Sequence, residues 1–389
     1  TVTTTGGCPP ATTTGTITVN PIHTITAASD QTVCQNTAMI NITMTFGGAA
    51  TGATVSGLPL GVISSVSGTT LTISGTPTVS GSFPYIVTTT NNPCTVVTNA
   101  TITVSPIHTI TSASDQTVCQ NAAMTNITMT LGGGATGAAV TGLPAGATSS
   151  VAGTTLTISG TPTVSGSFQY TVTTTGNACA VAATNATITV NPTPAVYDPL
   201  DQLLCNAASS TLVTFSGSVT GASYAWTNSN TSIGLAASGT GNIAAFTSIN
   251  TGTTPTTSTV VVTPSYTNSG ATCPGLTQSF IYTVNPTPSL QDPVDLIACN
   301  GGTVSAVTFT GTGTSYTWIN SNPGIGLAAN GSGNISSFTA SNISPNPIVA
   351  TVTVTPQYTN GGLTCLGSAQ SMTITVNPSP STQFNIPNQ

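Results

Sequence analysis

The chain has 389 residues and no Lys, Arg or Glu; its only acids are Asp30, Asp115, Asp198, Asp201, Asp292 and Asp295, for a formal charge of −6. Without cations it cannot displace counterions from phosphates, which excludes nucleic-acid binding, a basic membrane-surface patch and a P-loop. The length allows about two to four domains, and the wealth of Val, Ile and Thr favours strands over a charge-solvated disordered chain.

Taken from the N-terminus, one phrase punctuates the sequence: TITVNP at 16–21, TITVSP at 101–106, TITVNP at 187–192, YTVNP at 282–286 and TITVNP at 373–378. Its prolines, 21, 106, 192, 286 and 378, set a period of roughly 90 residues, too long for a solenoid coil and suited to one small β-domain per repeat. Residues 1–20 match the end of a repeat. Residues 21–105 and 106–191 are near copies, sharing GTTLTISGTPTVSGSF at 68–83 and 153–168. Residues 192–285 and 286–377 form a second pair, sharing SYAWTNSN with SYTWINSN and IGLAASGTGNI with IGLAANGSGNI. Residues 378–389 match a repeat's start, so the sequence is expected to be part of a longer array.

Within the repeat 106–191 the alternation of apolar and hydroxyl residues predicts strands at 126–130, 155–158, 168–174 and 187–190, bounded by Gly, Pro and Asn turns. No window carries a helical stripe. About seven short strands per repeat predict an all-β tandem array of Greek-key sandwiches forming an elongated rod. Four such domains would extend about 150 Å.

Tyr224-Ala225-Trp226, Tyr316-Thr317-Trp318 and the closing ITVNP resemble the PKD-like and immunoglobulin-like (Ig-like) domains of large surface proteins of Bacteroidota. The first repeat type, through GLPAG and GTTLTISGTPTVSGSFQYTVTT, is similar to the Ig-like repeats of bacterial adhesins. The resemblance implies secretion, by the type IX route, to the cell surface, and a role in adhesion, gliding or a surface fibre.

Each full repeat has one early and one late cysteine, a regularity that reads as disulfides in a secreted chain. One option pairs them within repeats: Cys34–Cys94, Cys119–Cys179, Cys205–Cys273 and Cys299–Cys365. In an Ig-like sandwich, however, the early turn and the late turn lie at opposite poles, about 20–25 Å apart, whereas a disulfide needs Cα atoms within about 7 Å. The second option crosses each junction: Cys34–Cys179, Cys119–Cys273 and Cys205–Cys365, with Cys8, Cys94 and Cys299 pairing outside the fragment. Both remain open at this point.

Trp226 and Trp318 are expected in the core. The D-P-x-D motifs place Asp198, Asp201, Asp292 and Asp295 where Ca²⁺ is conceivable, although two carboxylates per repeat are few for an ion that takes six to eight oxygens. His23 and His108 form no Ser/His/Asp or Cys/His set, and no metal or catalytic residue is assigned. The expectation is therefore a non-enzymatic extracellular fibre or adhesin stalk. Its partners are neighbouring repeats or copies of itself, with no nucleic acid and no direct membrane insertion. The alternative is an adhesin module that grips a glycan or protein through polar loops.

Overall fold

The structure, a computed structural model, describes all residues except 4, 10, 11, 92, 93 and 381–389. The chain divides into two compact units, 1–190 and 191–389. No α-helix occurs among the described residues. Separate buried cores lie within 39–104, 118–190, 196–284 and 290–376, one in each predicted repeat.

In the first unit each repeat is a sandwich of two four-stranded sheets. One sheet of the first repeat runs His23–Ile25, Ile42–Gly48, Thr70–Gly75, Val62–Ser67. The other runs Gln31–Cys34, Val97–Ser105, Gly81–Thr90, Gly52–Ser56. The second repeat has the same order. Period-2 patterning drives this arrangement: Ile42, Met44 and Phe46 are buried while Thr43 and Thr45 face solvent. The chain first pairs antiparallel on one sheet, then switches layers. Gln31–Cys34 joins the final strand in parallel, Gln31 opposite Ile102 and Cys34 opposite Ser105. The sandwich thus defines an Ig-like class of fold.

Residues 1–20 contribute a two-stranded hairpin, Val2–Thr3 with Thr12–Thr13. In this segment Val2, Ile17 and Val19 are 71%, 91% and 84% exposed, whereas the matching Val172, Ile188 and Val190 are core residues. The predicted start of a following repeat, 378–389, lies outside the described residues from 381 onward.

In the second unit each repeat has one six-stranded sheet built on a long strand, Thr256–Asn268 or Ile348–Asn360. The facing layer is more irregular than a regular sandwich predicts. In the third repeat it is held by isolated bridges, Val196 with Gly217, Ser209 with Thr247 and Val213 with Ile243. Side-chain amides replace ladder bonds there: Asn242 Oδ1 accepts the Phe215 N–H, and Asn250 Nδ2 donates to the Thr254 and Val284 carbonyls. Trp226 and Trp318 sit inside, each against a cross-strand glycine. A Cβ on Gly239 or Gly331 would lie 2.3 or 2.2 Å from the indole, so only glycine leaves room for the ring.

Candidate functional site: the repeat junctions

Four aspartates share one task. Asp30, Asp115, Asp201 and Asp295 each stand four residues before an early cysteine. Each accepts a backbone N–H of the repeat's last strand, from Thr101, Thr187, Ile281 and Thr373 at 2.6–2.7 Å. The bond falls one residue before the parallel pairing begins, as Thr101 precedes the Ile102–Gln31 pair. A carboxylate so placed ties the layer-switching strand to the strand that leaves the domain. That N–H holds the Asp295 carboxyl below its ordinary pKa.

The clamp fixes the early cysteines at the exit pole. Cys34 lies opposite Ser105, Cys205 opposite Asn285 and Cys299 opposite Asn377, the last residues of their final strands. The late cysteines sit at the other pole, on the hairpin that joins the last two long strands. Cys365, for example, pairs with Tyr358 across that hairpin.

Consecutive repeats then meet. Cys34 is bonded to Cys179 with Cα atoms 5.5 Å apart, and Cys205 to Cys365 at 5.6 Å. Cys119 and Cys273 are each engaged in a disulfide. The intra-repeat option is corrected accordingly. Cys34–Cys94, Cys119–Cys179, Cys205–Cys273 and Cys299–Cys365 each require a sulfur already joined to another repeat. The physical reason is that the two cysteines of one sandwich occupy opposite poles. Cys8 and Cys299 are exposed thiols.

Polar and steric contacts reinforce the covalent ones. Asn360 Nδ2 donates to Oδ1 of Asn285, the buried last residue of the preceding repeat, at 2.9 Å. Within the second unit Asn268 Nδ2 likewise donates to Asn191 Oδ1 at 3.0 Å, and Asn191 Nδ2 donates to the Asn268 and Ala271 carbonyls. Beside Asn360, Gly361 has φ +55°, and a Cβ there would lie 2.8 Å from Leu203 Cδ2 of the third repeat. In the first unit Asn177 serves the junction. Its Nδ2 donates to Pro106 O, and its Oδ1 accepts from Cys179 N and His108 Nε2, each at 3.0 Å.

The histidines are structural. Both are buried, His23 bonded to Thr89 Oγ1 and His108 to Thr174 Oγ1. Of the calcium candidates, Asp201 and Asp295 are already engaged by backbone N–H groups, while Asp198 and Asp292 are exposed. Among the described residues no group of three His, Cys, Asp or Glu side chains comes together as a metal site. Sequence reasoning did not single out the aspartate clamp or the asparagine pairs. The D-x-x-x-C spacing and the N-P ending, present in most repeats, were their legible signals.

No protein-family model matches this chain, and no curated protein matches it. Among solved structures, an I-band fragment of titin aligns at TM-score 0.43 and 11% identity, covering 71% of this chain and 99% of that one. Cadherin domains 3–6 of protocadherin gamma B2 align at TM-score 0.35 and 11% identity, covering 93% and 100%. The human desmocollin-1 ectodomain aligns at TM-score 0.28 and 11% identity, covering 94% and 81%. The chain's own sheets and cores define its class: tandem Ig-like β-sandwiches cross-linked by disulfides.

Proposed function

We propose that this chain is a non-catalytic structural region of an extracellular fibre or giant adhesin stalk, in which disulfides turn a string of sandwiches into a stiff rod. The observation that carries the reading is the bond from an early cysteine to the next repeat's late cysteine, seen at Cys34–Cys179 and Cys205–Cys365. A bond within a sandwich strengthens that one domain; a bond between neighbours also restrains their relative motion. The same rule assigns Cys119 to Cys273, and assigns Cys8, Cys94 and Cys299 to adjoining repeats. Disulfides persist in oxidising compartments, in keeping with an extracellular site. The resemblance to Bacteroidota repeats points further, to a bacterial cell surface reached by type IX secretion. Neighbouring repeats and further copies of the chain are its expected partners.

The test is non-reducing peptide mapping with pepsin, since trypsin has no site in a chain without Lys or Arg. Peptides linking Cys34 to Cys179, Cys119 to Cys273 and Cys205 to Cys365 are expected. Recovery of Cys34 linked to Cys94 would remove the basis for a stiffened rod and favour a hinged stalk.

A further inference from the structure

Four of the six carboxylates are engaged by backbone N–H groups. The other two, Asp198 and Asp292, are exposed and make no hydrogen bond among the described residues. Both open the D-P-x-D motif of a second-type repeat. Both stand on the rim of the same groove, about 380 Å³ in the third repeat and 330 Å³ in the fourth.

The groove arises where the chain changes layers. Residues 195–197 pair with 216–218 through Tyr197 N to Ser216 O and Ser218 N to Ala195 O, both 2.9 Å. At Asp198 the chain departs toward the other sheet, which it joins at Gln202–Cys205. Its departure uncovers the edge of residues 212–214. Val213 exchanges both backbone bonds with Ile243 at 3.0 Å. The N–H and C=O of Leu212 and Thr214 therefore point the opposite way, toward the groove, and have no backbone partner among the described residues. The fourth repeat repeats this plan, with Val307 bonded to Ile335 and the edges of Ala306 and Thr308 left open. Beside each edge stands an exposed apolar residue, Leu200 at 86% or Val294 at 77%.

An open strand edge, an apolar contact and one uncommitted anion are what an extended segment needs for strand addition. A second copy of this chain has no cation to offer the anion. We propose that the groove of each second-type repeat docks an extended segment of a partner protein that carries Lys or Arg. Its backbone adds to the edge at 212–214 or 306–308, its apolar side chain covers Leu200 or Val294, and its cation meets Asp198 or Asp292. The first-type repeats have Ala27 and Ser112 three residues before the clamping aspartate, where the second type has Asp198 and Asp292, and so lack the anion.

The test titrates four capped, dye-labelled nonapeptides into the oxidised full chain and reads anisotropy. Each alternates Thr and Val around a central Lys, Arg, norleucine or Glu. The Lys and Arg peptides should bind, with norleucine about fivefold weaker, as suits an exposed charge pair, and Glu weaker still. Asp198→Asn with Asp292→Asn should bring the Lys peptide down to the norleucine value. Salt at about 0.5 M should do the same through screening. Thr214→Pro with Thr308→Pro, which removes one of the two edge N–H groups in each repeat and places a ring on the edge, should abolish binding of all four peptides while the circular dichroism of the fold persists. Binding indifferent to the central charge, binding that survives the proline pair, or no binding by any peptide at about millimolar concentration overturns the proposal.

Discussion

The Asp295 carboxylate accepts the Thr373 N–H at 2.6 Å, and its pKa lies below the ordinary 3.8 because that bond favours the charged form. A depressed folded-state value stabilises the fold above the ordinary pKa and loses that contribution as pH falls through the folded one. The melting temperature of the oxidised chain should therefore drop in acid below pH 3.8, with Asp295→Asn flattening the drop; calorimetry across pH 2 to 5 checks it. Tyr282 works in the opposite sense. Burial pushes its phenol up to about 12 from 10.0, and burial raises Tyr85 and Tyr170 too. These groups stabilise the fold fully below pH 10.0 and lose the contribution as pH rises through their raised values, about 12 for Tyr282. Tyr282→Phe should make the alkaline decline shallower in the same experiment. Gly361 is constrained twice, by φ +55° and by Leu203. Gly361→Val should cost about 1–2 kcal/mol and open the third junction, read as faster reduction of Cys205–Cys365 by a water-soluble phosphine.

Strands with strict alternation are legible in the amino-acid sequence itself. The predicted 155–158 and 168–174 fall inside Thr155–Gly160 and Gly166–Gly176. The edge strands Ala135–Thr141 and Ala147–Ala152 are not legible there, because Gly, Ala and Ser give them little apolar contrast and the neighbouring strand supplies their order. The facing layer of the second repeat type is hidden for a related reason: isolated bridges and asparagine side chains, rather than a long ladder, satisfy its backbone. The opposite-pole placement of the cysteines is legible from strand count alone. The aspartate clamp is not, because its acceptor and donor lie about eighty residues apart, as Asp201 and Ile281 do. The clamp and the disulfide act on the same strand, so they should be separable. Cys34→Ser with Cys179→Ser should leave each sandwich folded around its own core while the first two repeats reorient independently. Nitrogen-15 relaxation of the two repeats, similar in the oxidised chain and divergent in the variant, measures this.

The two junction bonds follow one another along the sequence, the first closing before the second begins. Cys34–Cys179 closes a separation of 145 residues and Cys205–Cys365 one of 160. In the chain-entropy picture each loop of that size restricts the unfolded state by about 5 kcal/mol, so full unfolding should be much harder to reach oxidised than reduced. The same bonds set a load path. Tension applied at the two ends travels along residues 1–34, crosses to 179, follows 179–205, crosses to 365 and leaves. The strands between each pair of linked cysteines, which hold most of the four cores, carry no covalent load. In force spectroscopy the reduced chain should release about 500 Å and 560 Å more contour than the oxidised one, at about 3.5 Å per hidden residue. A sawtooth of full-length domain unfolding in the oxidised chain would refute this path. An oxidised array of this kind behaves as a chain of closed links: pulling strains first the strands that lie on the path, such as Gln31–Cys34, Ala183–Asn191 and Gln202–Cys205, while most of each core stays inside a closed loop that force cannot lengthen.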